Sequence, residues 1–71
     1  MDRKELTKLI ADGAVRITMN SGRTFEIPSR EFAIVSDIAA YALYRAEDGL
    51  MRTAVLPLVT MSVVESIEGS A

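Results

Sequence analysis

The stretch ITMNSGRTFEIP, residues 17–28, carries two short segments of alternating apolar and polar residues on either side of Asn20-Ser21-Gly22. In a three-residue hairpin loop the third residue adopts a positive φ, and glycine does so without steric cost. The stretch therefore predicts a β-hairpin in which these three residues form the loop. Pro28 is expected to end the second strand or to place it at a sheet edge, because proline cannot donate a hydrogen bond to a neighbouring strand.

This loop fixes the register of the predicted hairpin. Counted outward, the expected pairs are Met19–Arg23, Thr18–Thr24, Ile17–Phe25, Arg16–Glu26 and Val15–Ile27. The register collects the apolar side chains on one face and leaves the threonine pair and the Arg16–Glu26 pair on the other. A shift by one residue would mix the two classes on each face. Arg23 is interpreted first as a solvated charge beside the turn, with a ligand contact as the alternative.

A short amphipathic helix is predicted before the hairpin, over residues 3–12. Asp2 and Glu5 have the spacing of a capping box, and Gly13 stands where such a helix would end in the left-handed conformation. The apolar residues that recur at helical spacing are Leu6, Leu9 and Ile10. Because a helix of about ten residues is not stable alone, we expect this stripe to cover one open end of a sheet.

Residues 37–48 allow two interpretations. Asp37 could cap an alanine-rich helix that ends before Gly49, since alanine is the best helix former. Alternatively, the alternation over Tyr41–Arg45 is typical of a strand, and Glu47-Asp48-Gly49 has the composition of a second hairpin loop. The local pattern leaves both interpretations open.

The chain resembles a set of short, functionally uncharacterised bacterial proteins of about this length. The shared features are Gly22-Arg23, Phe25-Glu26-Ile27-Pro28, Glu31-Phe32, Ser36, Asp48-Gly49 and Leu58-Val59-Thr60. In those proteins the segment that matches Tyr41–Arg45 is rich in valine, which favours the strand interpretation. Two more strands would then follow, at Leu50–Leu56 and Ser62–Ser66, with a tight turn between them.

A helix followed by about five short antiparallel strands is similar in order and length to the small Sm-like and SH3-like barrels. The resemblance implies a mainly β fold with one N-terminal helix, closed as a five-stranded barrel or bent into a strongly curved sheet. The alternative is an α+β fold with a second helix at about residues 37–48. One domain would span residues 1–71, with the helix at 3–12 and a β-rich core at 14–71. Sm-like proteins also form rings, in which the fourth strand of one subunit pairs with the fifth of the next.

The composition offers few groups for catalysis. The chain has no histidine and no cysteine, so the commonest general base, the commonest transition-metal ligand and any thiolate are missing. We find no phosphate-binding glycine loop and no nucleophile–base pair in the sequence. We therefore expect no enzyme activity, no catalytic residue, no cofactor and no metal. The ligand contacts that the sequence allows are Arg23, Tyr41, Tyr44 and Arg45, although packing within the sheet is the simpler interpretation of the tyrosines.

Charge and hydropathy bear on partners and location. Residues 1–30 carry a net charge of +2 and residues 31–71 a net charge of −4, an asymmetry that can orient subunits against one another. The overall charge of −2 weakens the case for nucleic-acid binding. The charged start does not resemble a signal peptide, and the longest uncharged run, Thr53–Val64, is too short to span a membrane. A cytoplasmic location without membrane contact is expected.

Self-association is the partner prediction that the apolar content favours. Hydrophobic residues make up 49% of the 71 residues, which is high for a domain with so small an interior. The run Thr53–Val64 is rich in β-branched residues, and Pro57 is the only residue within it that would oppose pairing with another strand. The expected oligomer interface is formed by Val55, Leu56, Leu58, Met61, Val63 and Val64.

These observations predict a non-enzymatic structural or protein-interaction module that self-associates, with itself or another protein as partner. Two alternatives stay open. One is an Sm-like nucleic-acid-binding protein whose contacts would be Arg16, Arg23, Arg45 and Arg52. The other is a small accessory subunit of a larger bacterial complex.

Overall fold

The elements of the chain are taken from a computed structural model, which describes residues 1–67. In chain order they are α1 (Arg3–Asp12), β1 (Val15–Met19), β2 (Thr24–Ile27), a 3-10 turn (Arg30–Phe32), β3 (Ala33–Val35), β4 (Ala39–Arg45), β5 (Met51–Pro57), a second 3-10 turn (Leu58–Thr60) and β6 (Met61–Ser66). The last four residues of the predicted β-rich core, 68–71, lie outside the described residues.

The strands form two antiparallel sheets of three strands each, in the orders β2–β1–β6 and β3–β4–β5. The mainly β fold with one N-terminal helix is thus confirmed. The described residues do not form a closed five-stranded barrel, because neither sheet closes on itself. The chain leaves the first sheet at Pro28, passes through a 3-10 turn, and enters the second sheet as the short strand β3.

Helix α1 begins and ends near the predicted positions. The Asp2 carboxylate accepts a hydrogen bond from the backbone N–H of Glu5 at 3.4 Å, and Leu6 and Ile10 are buried. At the other end, the Gly13 N–H donates to the Ile10 carbonyl at 3.3 Å. Gly13 has φ 146° and ψ −158°, an extended conformation with positive φ that is open essentially to glycine alone. The helix prediction is confirmed, but its end is not the left-handed helical cap that was expected.

The first hairpin has the predicted register. Val15, Arg16, Ile17 and Thr18 pair with Ile27, Glu26, Phe25 and Thr24 in that order. The loop closes when the Met19 N–H donates to the Arg23 carbonyl at 2.8 Å, and Gly22 has a φ of +93°. Strand β6 pairs with the free side of β1, with an irregularity in the register at Thr18/Met19.

The alternative of a second helix at residues 37–48 is wrong, because β4 occupies this segment as the central strand of the second sheet. The Ser36 hydroxyl accepts hydrogen bonds from the N–H groups of Ile38 and Ala39, at 3.3 and 3.1 Å, and so holds Asp37 in a turn. Ala40 and Ala42 are buried between the sheets. Tertiary packing therefore overrides the helix propensity of alanine.

Glu47-Asp48-Gly49 forms the second hairpin loop, as predicted for the strand interpretation. The Ala46 N–H donates to the Leu50 carbonyl at 2.8 Å, and Gly49 has a φ of +85°. Between the two sheets and α1 lies one apolar core, composed of Leu6, Ile10, Val15, Ile17, Met19, Phe25, Ile27, Ala40, Ala42, Leu56, Leu58 and Met61. Within residues 1–67, no helix has both the length and the apolarity needed to cross a membrane.

Candidate functional site

The outward face of the second sheet carries an uncovered apolar stripe. Ile34, Tyr41 and Val55 stand directly opposite one another on three adjacent strands and are 72%, 42% and 58% exposed. Leu43 and Met51 are exposed on the same face. We call these five residues the outer stripe. It lies opposite the alanine-lined face that packs into the core, so the second sheet has apolar residues on both sides.

Strands β5 and β6 are edge strands of their sheets, as are β3 and β2 at the opposite ends. Each stands at one end of its strand order, β5 beside β4 and β6 beside β1. The outward-facing valines next to these edges, Val55 and Val63, are both exposed. A free edge presents backbone N–H and C=O groups to a further strand, and neither β5 nor β6 contains a lysine to prevent pairing.

The six residues of the predicted oligomer interface divide into two groups. Val55 and Val63 are exposed, and Val64 is half-buried. Leu56, Leu58 and Met61 lie in the core of the chain itself, so their side chains are not free to contact a second copy. Of the predicted interface, Val55, Val63 and Val64 are therefore the residues with side-chain surface left for a second copy in the single chain.

The tips of the two hairpins lie side by side and border an open cleft of about 820 Å³. We call it the hairpin cleft. Its lining residues are Gly22, Arg23, Thr24, Glu26, Tyr44, Arg45, Ala46, Glu47, Asp48 and Arg52. Three of the four predicted ligand contacts, Arg23, Tyr44 and Arg45, therefore come together in one place. The fourth, Tyr41, belongs to the outer stripe and is not among the lining residues.

Aromatic contacts join the two sheets beneath this cleft. The rings of Phe25 and Tyr44 meet edge to face, with centroids 4.8 Å apart and planes at 89°. The Arg23 guanidinium carbon lies 4.9 Å from the centroid of the Phe25 ring, within cation–π range. The interpretation of Arg23 as a purely solvated charge is thus incomplete, since its side chain lies over a buried aromatic ring.

The charges around the cleft are partly neutralised. Glu26 accepts two hydrogen bonds from Arg16, at 3.1 and 3.0 Å, and Asp48 forms an ion pair with Arg52. Among residues 1–67, Arg23, Arg45 and Glu47 take part in no ion pair. The same part of the chain contains no group of three or more acidic residues arranged to hold a metal ion.

A second, smaller hollow of about 350 Å³ lies between the first hairpin tip and β5. Its walls are largely apolar, with Met19, Phe25, Val55 and Leu56 among the lining residues. The hollow therefore borders the free edge of β5 on the side of the first sheet.

The exposed apolar residues that sequence reasoning did not single out include Ile34, Leu43 and Met51 of the outer stripe, and also Ile38 and Val59. Ile34 lies in the continuous apolar segment Ala33–Val35, where no polar residue marks the solvent side. Comparison of the chain with protein-family models, curated proteins and solved structures finds no match. The geometry of the chain itself therefore has to carry the functional proposal.

Proposed function

We propose that this chain is a non-enzymatic structural or protein-interaction module that self-associates. The observation that carries the proposal is the coincidence of uncovered apolar side chains with two free strand edges in the C-terminal half. The outer stripe together with Ile38 and Val59 exposes a surface area on the order of 700 Å², judged from the exposed fractions of these residues, which is close to the roughly 800 Å² that each partner buries in a standard interface.

The mode we propose is antiparallel pairing of β5 in one copy with β6 in the next. One register places Val55 opposite Val63 on the outward side and Ala54 opposite Val64 on the inward side. Both pairs match in polarity, and the second would bury two side chains that are half-buried in the single chain. Because β5 and β6 are different surfaces, this contact is head-to-tail and yields a ring or an open chain of subunits.

The finer fold proposal is an Sm-like or SH3-like order of elements. Three features support it. The last strand, β6, returns to pair with the first, β1, and a 3-10 turn precedes it. Strands β2 and β3 are consecutive and each stands at the edge of its own sheet. Phe25 of β2 also contacts Tyr44 of β4 across the two sheets. On this proposal the two sheets are halves of one strongly bent sheet.

Light scattering of the parent chain at micromolar concentration tests the proposal. We expect a multiple of the 7.7 kDa subunit mass. Val55→Lys and Val63→Lys should each lower the mass, because a lysine at either edge opposes pairing and both positions are exposed in the single chain. Glu47→Lys, a charge change in an exposed loop, is the control and should leave the mass unchanged.

Two outcomes would count against this assembly. A parent mass of one subunit would refute self-association altogether. If Ile34→Lys dissociates the oligomer and Val63→Lys does not, copies pack through the outer stripe and not through the edges. Circular dichroism of each variant separates a lost interface from a lost fold.

Nucleic-acid binding is the second candidate, because Arg23, Arg45 and Arg52 line the same cleft. Glu26, Glu47 and Asp48 line it too, so the cleft lacks the basic excess that a phosphate backbone requires. Retention on single-stranded RNA at low and moderate salt tests this candidate. A steep loss of affinity with salt would favour it, and weak binding with almost no salt dependence would favour the module.

A further inference from the structure

We propose that the hairpin cleft binds a small molecule through a single oxyanion group, a carboxylate or a phosphate, held between Arg23 and Arg45. The cleft borders the end of the outer stripe, where Arg45 stands opposite Met51, and it includes Arg52 of β5. A ligand bound there would be additional to the strand pairing of the proposed module.

The cleft holds Arg23 in a defined orientation. Its guanidinium lies 4.9 Å from the ring of Phe25, and Phe25 is itself buried and fixed by an edge-to-face contact with Tyr44. A guanidinium that lies over an aromatic ring keeps the N–H groups in its own plane available for other partners. Less side-chain freedom is then lost when those groups bind an anion.

The unpaired charges of the cleft favour an anion. Arg52 is engaged by Asp48, and Glu26 is engaged by Arg16, which lies outside the lining. Within the described residues this leaves two guanidinium groups, Arg23 and Arg45, and one carboxylate, Glu47, without an ion pair. Guanidinium groups bind carboxylate and phosphate oxygens through paired, charge-assisted hydrogen bonds. One oxyanion between the two arginines would neutralise this net positive charge.

The acidic residues of the lining limit the ligand to one anionic group. A polyanion would bring its further charges against Glu26, Glu47 and Asp48, and such like-charge contacts oppose binding. Tyr44, which is half-buried and lines the cleft, offers a ring edge and a hydroxyl to the rest of a small ligand. A small organic acid or a phosphate monoester fits these conditions better than a nucleic-acid strand.

The test is an NMR titration of the isotope-labelled chain with inorganic phosphate and, separately, with benzoate, at ionic strength held constant with sodium chloride. We expect saturable shifts confined to residues 22–26 and 44–49. Arg23→Gln and Arg45→Gln should each weaken binding by about tenfold or more, the usual loss when a charged hydrogen-bonding partner is removed. The matched control is Arg30→Gln, because Arg30 is exposed, has no ion pair in the described chain and lies outside the cleft.

The two ligands distinguish the source of the oxyanion, since tighter binding of benzoate indicates a carboxylic acid and tighter binding of phosphate a phosphate ester. Shifts that do not saturate, or that chloride reproduces, overturn the proposal. An equal loss in Arg30→Gln also overturns it, because the effect would then be one of net charge. So does a single-stranded RNA that shifts the same residues at lower concentration than either anion. Spectral dispersion equal to the parent's shows that each variant is folded.

Discussion

The two hairpins of this chain are built on the same turn and end in different surroundings. In each, the residue before the loop donates its N–H across the loop at 2.8 Å, and the loop glycine donates back to it at 2.9 Å. The glycine φ values are +93° and +85°. Yet the apolar face of the first hairpin is buried, whereas the second carries the outer stripe. The turn geometry is thus set by the local sequence, whereas the burial of each hairpin's apolar side chains depends on which elements pack against them.

Coverage differs because residues 1–67 supply only one α-helix for two sheets. Helix α1 contributes Leu6 and Ile10 to the core into which the large side chains of the first hairpin point. The second hairpin offers that core mainly alanines, Ala40, Ala42 and the half-buried Ala54. Leu56 and Tyr44 also pack inward, but the other large apolar side chains on the strands of this hairpin belong to the exposed outer stripe. The first hairpin therefore contributes more to the stability of the single chain, and the second has more surface left for a partner.

The largest expected effect comes from a matched pair of truncations, Ile17→Ala in the first sheet and Ile34→Ala in the second. Ile17 is fully buried, so its loss should lower the free energy of unfolding by about 3 kcal/mol through lost burial and a cavity. Ile34 is 72% exposed, so Ile34→Ala should lower the free energy of unfolding by less than about 1 kcal/mol. Urea denaturation followed by circular dichroism measures both.

Equal losses of unfolding free energy in the two alanine variants would contradict this difference between the sheets, because they would mean that the outer stripe is covered in solution. Repeating the Ile34→Ala measurement at several protein concentrations would then identify the cover. A cost that grows with concentration indicates a second copy packed on the stripe.

The next effect tests whether the two turns are equivalent. Gly22→Val and Gly49→Val should each destabilise by about 1–2 kcal/mol, because a β-branched residue resists positive φ. A Cβ at either position meets nothing within 4 Å, so we expect conformational strain to be the main cost and the two values to agree. Thermal melts of both variants beside Gly22→Asn, which tolerates positive φ better, measure this. A valine variant that melts like the parent would show that its loop takes another form.

The regions that could be predicted from sequence are those in which local chemistry decides the structure. The first hairpin register followed from a glycine and from alternation on both sides of it, and Asp2 marked the start of the helix. The segment Thr53–Val64 has no charge to mark a solvent side, and its 3-10 turn breaks the twofold period of a strand. For that reason Leu56, Leu58 and Met61 could not be separated from the exposed Val55 and Val63.

The hairpin cleft was only partly predictable for a different reason. Arg23 and Arg45 are far apart in the chain, and they line one cleft because Phe25 and Tyr44 pack across the two sheets. No local pattern encodes that contact. Residue type and local position selected Arg23, Tyr44 and Arg45 as ligand contacts, and they also selected Tyr41, which lies in the outer stripe and does not line the cleft.

A smaller effect is expected at the bend that leads into the second sheet. The Ser36 hydroxyl accepts from two backbone N–H groups and donates to the Ala39 carbonyl at 3.0 Å. Ser36→Ala should therefore cost about 1 kcal/mol in free energy of unfolding, the usual net value of a lost side-chain hydrogen bond in a partly buried site. Ser62→Ala, an exposed serine in β6, is the control. If Ser36→Ala costs no more than this control, the hydroxyl does not hold the bend.

The smallest effect compares the two arginines of the cleft. Arg23→Ala should lower the free energy of unfolding by about 0.5–1 kcal/mol, because it removes the cation that contacts the Phe25 ring. Arg45→Ala should change stability by less than about 0.5 kcal/mol, since Arg45 is exposed and forms no ion pair within residues 1–67. Urea midpoints in a buffer free of phosphate and carboxylate measure the difference without a ligand. Arg23→Lys should recover part of the loss, because an ammonium keeps the charge but cannot lie flat on the ring. Equal costs at the two arginines would mean that Arg23 is not held by Phe25, and the cleft would then have no oriented donor for an anion.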